Sequence, residues 1–363
     1  MNIAVAMSGG LDSTMTAVLL KEAGANIVGV TADMGYSIPA DKFNPFTEKS
    51  QDERDANIKA IKEVADKYQF PHYTVNIKQD FFADVIEPFC TEYINGNTPN
   101  PCILCNERVK FPSILNFADK LGIDYIATGH YANIISGDNG RYYISQGKDP
   151  VKDQSYFLYR LPQDILARTL FPLGKFLKSE VRDMARVRGL SAADSPESQE
   201  ICFILDNNYI GFIEKAMDIK PACGDIVNTD GAILGYHKGI YRHTIGQRRG
   251  LGIAAERPLY VTGISAKDNI ITVGFKEELF AAGLIASDIF YMKETQLHGL
   301  TVWVKTRSTQ KPAQALLREV DDCIEVVFAE PILSVSPGQA AVFYNEAGDV
   351  LAGGTIRRAL KSC

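Results

Sequence analysis

Up to about residue 130, short apolar runs alternate with longer stretches in which apolar residues recur at helical spacing. The short runs, residues 3–7, 27–33, 73–77 and 125–128, predict strands. The longer stretches, residues 14–24, 53–68, 81–93 and 106–121, predict helices. Strands and helices alternating in this way argue for an α/β domain built on a doubly wound parallel sheet. Another helical stretch follows at 179–188, and residues 194–198 read as a polar loop. Beyond residue 220 the pattern turns to short strands punctuated by glycine, at 270–275, 301–306, 315–320, 324–328, 340–344 and 351–356. That spacing predicts small β-barrels. Residues 37–52 are polar and predict a mobile loop, and the chain holds no internal repeat.

In a doubly wound sheet, ligands sit beyond the carboxyl ends of the strands. Two segments fall there: Ser8-Gly9-Gly10-Leu11-Asp12-Ser13 after the first strand, and Thr128-Gly129-His130 after the fourth. Two glycines let the backbone bend sharply and present bare N–H groups, and the helix that follows aims its positive end at an anion. No lysine follows the glycines, so the loop is not of the GxxxxGK[ST] type. Its order resembles the pyrophosphate loop of enzymes that split ATP into AMP and pyrophosphate, activating an oxygen as its adenylate.

Composition narrows the class. The chain has 363 residues, 46% of them apolar, a net charge of −6 and seven cysteines. Its length suits about two to three domains at ~100–200 residues each. The first residues carry no charged leader, and no stretch reaches the ~18 apolar residues a membrane helix needs, so a cytoplasmic protein is expected. By itself the acidic balance argues against a nucleic-acid partner, since phosphate backbones are gripped by lysine and arginine. Basic clusters do occur later: Arg242, His243, Arg248 and Arg249; Lys305, Arg307 and Lys311; Arg357, Arg358 and Lys361. Each is read as a solvated face unless something else recruits it.

The candidate chemistry lies in thiols. Residues 97–106, Asn-Thr-Pro-Asn-Pro-Cys-Ile-Leu-Cys-Asn, form a proline-stiffened loop that delivers Cys105 to the first turn of a helix. A thiolate there is stabilised by the helix N-terminus, so its pKa is expected below the ~8.5 of a free thiol, making Cys105 a nucleophile candidate. Cys102-x-x-Cys105 also reads as a redox dithiol, half a zinc site or part of an iron–sulfur site. Cys90, Cys223, Cys323 and Cys363 stand alone and are read as structural, while Cys202 ends a polar loop after Ser198-Gln199-Glu200-Ile201.

Together these segments carry a resemblance that runs almost end to end. Residues 8–13, 98–111, 127–132 (Ala-Thr-Gly-His-Tyr-Ala), 152–159 (Lys-Asp-Gln-Ser-Tyr-Phe-Leu-Tyr), 171–174 (Phe-Pro-Leu-Gly), 201–204 (Ile-Cys-Phe-Ile), 243–253 (His-Thr-Ile-Gly-Gln-Arg-Arg-Gly-Leu-Gly-Ile) and 337–339 (Pro-Gly-Gln) are ordered as in the tRNA-specific 2-thiouridylases. Members of that family replace the carbon-2 oxygen of the wobble uridine with sulfur. The resemblance implies that ATP with magnesium is held by Ala6, Met7, Ser8, Gly9, Gly10, Leu11, Asp12, Ser13, Ala32 and Gly129. The uridine oxygen then attacks the α-phosphate, giving an adenylated base. Cys202 matches the cysteine that carries a persulfide from a cysteine desulfurase or relay protein, and Cys105 matches the nucleophile. A Cys105–Cys202 disulfide would close the cycle and require a reductant. Asn100, Pro101 and Cys102 match the target-base pocket, and Lys152, Asp153, Gln154, His130, Arg307, Ser308 and Gln339 match tRNA contacts.

The sequence departs from the family at three places. Cys102 stands where many members carry an aspartate, a poor substitute in proton transfer but a good iron ligand. Cys102, Cys105 and Cys202 could therefore hold a four-iron cluster with one iron open to sulfide, an alternative to the persulfide route. Ser308 replaces the usual aromatic beside Arg307, and Ala32 takes the place of an adenine-contacting methionine, with Met34 nearby. The expected organisation is an adenylating α/β domain over 1–205, a small β domain over 206–280 and a tRNA-binding β-barrel over 281–363. The expected protein is a monomeric tRNA-uridine 2-sulfurtransferase. The alternatives are an enzyme of this fold that adenylates a small molecule and a non-catalytic RNA-binding sensor.

Overall fold

The computed structural model describes residues 1–34, 48–138, 140–194, 201–204 and 208–361, with backbone alone for 48–54. The chain folds as two compact units. The first comprises Met1–Val85, Cys102–Asn208 and Gly348–Val350, and the second Ile86–Pro101, Tyr209–Ala347 and Leu351–Cys363.

The first unit is built on the expected sheet. Its strands β1 (Asn2–Ala6), β2 (Asn26–Asp33), β3 (His72–Asn76) and β4 (Tyr125–Ala127) pair in parallel. After the hairpin of β5 (Ala132–Ser136) and β6 (Tyr142–Gln146) comes the short strand β7 (Thr169–Leu170), giving the order β3-β2-β1-β4-β7. The apolar runs are continuous because both faces are covered. Ile3, Val5, Ile27, Ile61 and Phe70 form one cluster, while Leu11, Met15 and Val18 pack with Tyr131, Leu173 and Val181 in another. β1 has β2 on one side and β4 on the other, so the chain reverses its winding direction between β1 and β4. The loops leaving those two strands therefore open side by side at the carboxyl edge, the crevice where such sheets bind ligands.

The helices differ from expectation in an instructive way. The stretch 81–93 is divided into Lys78–Phe81, a π-turn at Phe82–Ile86, and Glu87–Ile94. The stretch 106–121 starts earlier, at Pro101–Leu104, then passes a π-turn at Cys105–Lys110 and continues as Phe111–Lys120. Each π-turn ends two residues before a proline, Pro88 or Pro112. A proline ring clashes with the carbonyl four residues back, and a locally widened turn relieves that clash. The expected loop 37–52 lies partly outside the described residues, and from Glu48 the backbone is already helical, in Glu48–Tyr68. Of the expected loop 194–198, Asp194 closes the 3₁₀ turn Ser191–Asp194, and 195–198 lie outside the described residues.

In the second unit, β8 (Gly224–Val227), β9 (Ile233–His237), β10 (Tyr260–Ser265) and β11 (Ile270–Gly274) form a sheet of order β10-β11-β8-β9 around Ile226, Val261, Ile271 and Val273. β12 (Phe280–Tyr291), β13 (Thr301–Lys305), β14 (Ala313–Val320), β15 (Cys323–Leu333), β16 (Ala340–Tyr344) and β17 (Val350–Lys361) close a barrel in the order β12-β15-β14-β13-β16-β17. Closure removes the free edges that an open sheet leaves exposed. Leu284, Leu317, Val326 and Phe343 fill its interior. Among the described residues no helix is long and apolar enough to cross a membrane.

Candidate active site

The phosphate loop is shaped by its own side chains. Leaving β1, the backbone turns at Gly9 with φ +83°, a left-handed conformation that favours glycine, and a Cβ there would come within 3.0 Å of the Asn57 Cβ. Ser13 ties the loop together: its Oγ accepts from the Ser8 N–H and donates to the Gly10 carbonyl, both at 3.1 Å. The helix Leu11–Glu22 follows, its N-terminus opening at the loop. The Asp12 carboxylate takes the Lys178 ammonium on both oxygens, at 2.6 and 2.7 Å, and the Tyr131 hydroxyl at 2.8 Å. Across the crevice, a Cβ on Gly129 would stand 2.8 Å from the Asp12 carbonyl carbon, so only glycine lets the two loops approach this closely.

Between these loops lies a cavity of about 370 Å³, within the range of small-ligand sites. Ala6, Met7, Ser8, Asp12 and Ser13 line it on the phosphate side, with Ala32, Met34 and Gly129 around it; Gly9, Gly10 and Leu11 shape the loop without lining the cavity. Cys105, Lys110, His130 and Gln154 complete the wall. His130 shares a 2.6 Å hydrogen bond between its Nδ1 and the Thr128 hydroxyl, and its ring stacks on Phe111 with centroids 5.7 Å apart. Burial, helped by the nearby Lys110 charge, drives its pKa well below the usual histidine range, so the ring is neutral.

Cys105 lines this wall, and Cys102 and Cys202 lie within electrostatic range of it, in a state the sequence does not predict. Cys105 is buried, whereas Cys102 and Cys202 are reachable by solvent. Protein crowds each sulfur, and desolvation raises all three pKa values, that of Cys202 to about 12. Cys102 and Cys105 raise Cys202 further, so the three lie within electrostatic range, and Lys110 opposes the shift at each. The expected lowering at Cys105 is thus corrected. The helix begins at Pro101, so Cys102 occupies the first turn and Cys105 lies beyond it, where the dipole has faded and burial wins. Among the described residues no group of three His, Cys, Asp or Glu side chains could hold a metal ion. The thiols as arranged therefore do not fit an iron–sulfur ligand set. The phosphate loop and cavity, by contrast, fit a nucleotide.

The family profile described as "tRNA methyl transferase HUP domain" matches residues 1–206, that described as "tRNA methyl transferase PRC-barrel domain" matches 211–275, and "Aminomethyltransferase beta-barrel domain" matches 281–356. The tRNA-specific 2-thiouridylase MnmA of Geobacter metallireducens is 44% identical over 99% of this chain and 97% of its own length. MnmA 1 of Caldanaerobacter subterraneus is 43% identical over 98% and 97%, and MnmA of Salinibacter ruber 44% over 98% and 94%. The chain belongs to the tRNA-specific 2-thiouridylase family.

Within this 2-thiouridylase the remaining candidate residues divide by unit. In the first, Asp153 is buried, its carboxylate accepting from the Gly147 and Ser155 N–H groups and the Ser155 hydroxyl, so it shapes its own turn. Gln154 accepts from the Tyr131 N–H at 2.9 Å and reaches the cavity, and Lys152 is half-buried beside it. In the second unit, the Gln339 side-chain amide donates to the Thr98 carbonyl at 2.9 Å, while the Thr98 N–H donates to Pro337. Residues 337–339 thus brace the loop that leads to Asn100 and Pro101. The Arg307 guanidinium donates to the Ser336 hydroxyl and to the Ser334 and Ile245 carbonyls, with Ser308 half-buried next to it.

Sequence reasoning missed Lys110, Tyr131 and Lys178 as individual site residues. Lys110 and Tyr131 lie inside quoted motifs, and their polar ends set among apolar neighbours were the available signal. Lys178 had no local signal, because its partner Asp12 is 166 residues away.

Proposed function

We infer that this 2-thiouridylase activates its uridine with ATP in the cavity of the first unit and delivers sulfur through Cys105 and Cys202. The protein is a tRNA-uridine 2-sulfurtransferase of the ATP-using kind, and tRNA bearing a wobble uridine is its substrate. The observation that carries the residue-level reading is the shared wall: phosphate loop, Gly129 and Cys105 line one cavity, with Cys202 in electrostatic range of Cys105.

The uridine oxygen bonds to the α-phosphate and pyrophosphate departs. Residues Gly9–Ser13 would hold the phosphates with their backbone N–H groups, and magnesium, when bound, would offset phosphate charge. The terminal sulfur of a persulfide on Cys202 then bonds to carbon 2, and the carbon–oxygen bond breaks with its electron pair leaving on AMP. The Cys105 thiolate displaces the transferred sulfur from Cys202, forming a Cys105–Cys202 disulfide that an external dithiol reopens. On the side of the cavity away from the phosphate loop, the neutral His130 and the protonated resting Cys105 leave Lys110 as the charged group. We further propose that a cysteine desulfurase or relay protein loads Cys202, and that the enzyme works as a cytoplasmic monomer.

The test is nucleoside mass spectrometry on unmodified tRNA incubated with the protein, magnesium–ATP and a persulfide-loading desulfurase. We expect 2-thiouridine with the native chain and none with Cys105→Ser or Cys202→Ser. ATP turnover on a small acceptor without tRNA would sink the reading. Anaerobic incubation with iron and sulfide should leave the protein colourless; a brown protein with about four irons per chain would move sulfur delivery to a cluster on Cys102, Cys105 and Cys202.

A further inference from the structure

The cavity has an uneven charge balance. Two carboxylates line it, Asp12 and Asp33, and both are met from outside the lining: Asp12 by Lys178 and Tyr131, Asp33 by Lys78 at 3.8 Å. Among the described lining residues Lys110 is the one lysine or arginine, and His130 is neutral. A nucleotide brings several negative charges to this wall, and a low-dielectric pocket makes a facing cation valuable.

Lys110 is also held in place. Its ammonium donates to the Asn106 Oδ1 at 3.2 Å, and Asn106, 2% exposed, donates its own amide to the Phe157 carbonyl at 3.1 Å. The π-turn Cys105–Lys110 sets the direction. Residues five apart stand on opposed sides of a helix of ~3.6 residues per turn, but a turn closed by i→i+5 bonds brings them near one side. Lys110 and Cys105 therefore share the wall of the cavity that Ser8 and Ser13 also line. The phosphorus attacked by the uridine must lie between the phosphate loop and the thiol that completes the reaction, and Lys110 lines the cavity that both of these border.

We propose that Lys110 is a catalytic ligand of the α-phosphate, gripping it during adenylation and taking up the charge on AMP as carbon 2 exchanges oxygen for sulfur. The proposal rests on the adenylation reading above. It is tested by isothermal titration of the full-length protein with AMP and with adenosine. Lys110→Met should weaken AMP about tenfold or more, the loss expected for a charged hydrogen bond, and leave adenosine unchanged. Lys110→Arg should recover most of the AMP affinity. Unchanged AMP binding in Lys110→Met, or equal weakening of AMP and adenosine, would overturn it, since a residue that only shapes the pocket makes no distinction between the two. Should Lys110→Met fail to fold by circular dichroism, Lys110→Gln takes its place. Absence of 2-thiouridine with the native protein would instead strike the parent reading and leave this measurement standing.

Discussion

At Cys105 and Cys202 two effects compete, and burial outweighs the nearby ammonium. The thiolate is the nucleophile, and a raised thiol forms it only as pH climbs toward the raised value. Cys202, pushed up to about 12, should therefore react with iodoacetamide at pH 7.5 about tenfold or more slowly than a free thiol. Its rate should still be rising at pH 10. Peptide mass spectrometry at several pH values reads this directly, and labelling of Cys202 at the free-thiol rate near neutrality would contradict it. A protonated resting thiol also resists adventitious oxidation, which suits a residue that must wait for a sulfur donor. The same closeness of packing governs Gly129, where the backbone of one loop lies against Asp12 of the other.

Among the secondary elements, the segment Pro101–Lys120 decides most. Had it been an uninterrupted α-helix, Cys105 and Lys110 would point apart. Pro112 supplies the reason for the wider turn, because its ring excludes the carbonyl of Arg108, four residues back. Pro112→Ala removes that constraint. The expected outcome is a protein at least as heat-stable as the native one, since a helix-interior proline is itself costly, but with thiolation slowed about tenfold as Lys110 and Cys105 fall out of register. Melting temperature and single-turnover formation of 2-thiouridine check the two halves separately. Native activity in Pro112→Ala would show that the π-turn does not serve the site.

For the molecule as a whole, stability should fall in mild acid. His243 is 8% exposed, and burial, with His237 and Arg242 close by, lowers its pKa to about 4. Between about 6.5 and 4 the unfolded chain takes up a proton at this residue and the folded chain does not. Unfolding is therefore favoured progressively as pH falls through that window, by on the order of 2 kcal/mol from this residue at pH 5. Urea midpoints at pH 7 and pH 5 should differ less in His243→Gln than in the native protein. An equal drop in both would assign the acid sensitivity to other groups.

Some of this was legible in the chain itself. The parallel sheet, the phosphate loop and the place of Gly129 follow from strands and helices that repeat with their own periods and from glycines at turns, information held within a few residues. The barrel strands announced themselves by short spacing, although β12 and the hairpin of β5 and β6 carried too little pattern to stand out. The sequence by itself thus determined the parallel sheet, most of the barrel strands and the glycine loops at the crevice. Tertiary structure alone decided that Lys178 neutralises Asp12 from 166 residues away, that Gln339 braces Thr98 from 241 away, and that the thiols are raised rather than lowered. The physical reason is that periodicity reports a residue's own element, whereas charge pairing and desolvation depend on which distant atoms displace water around it.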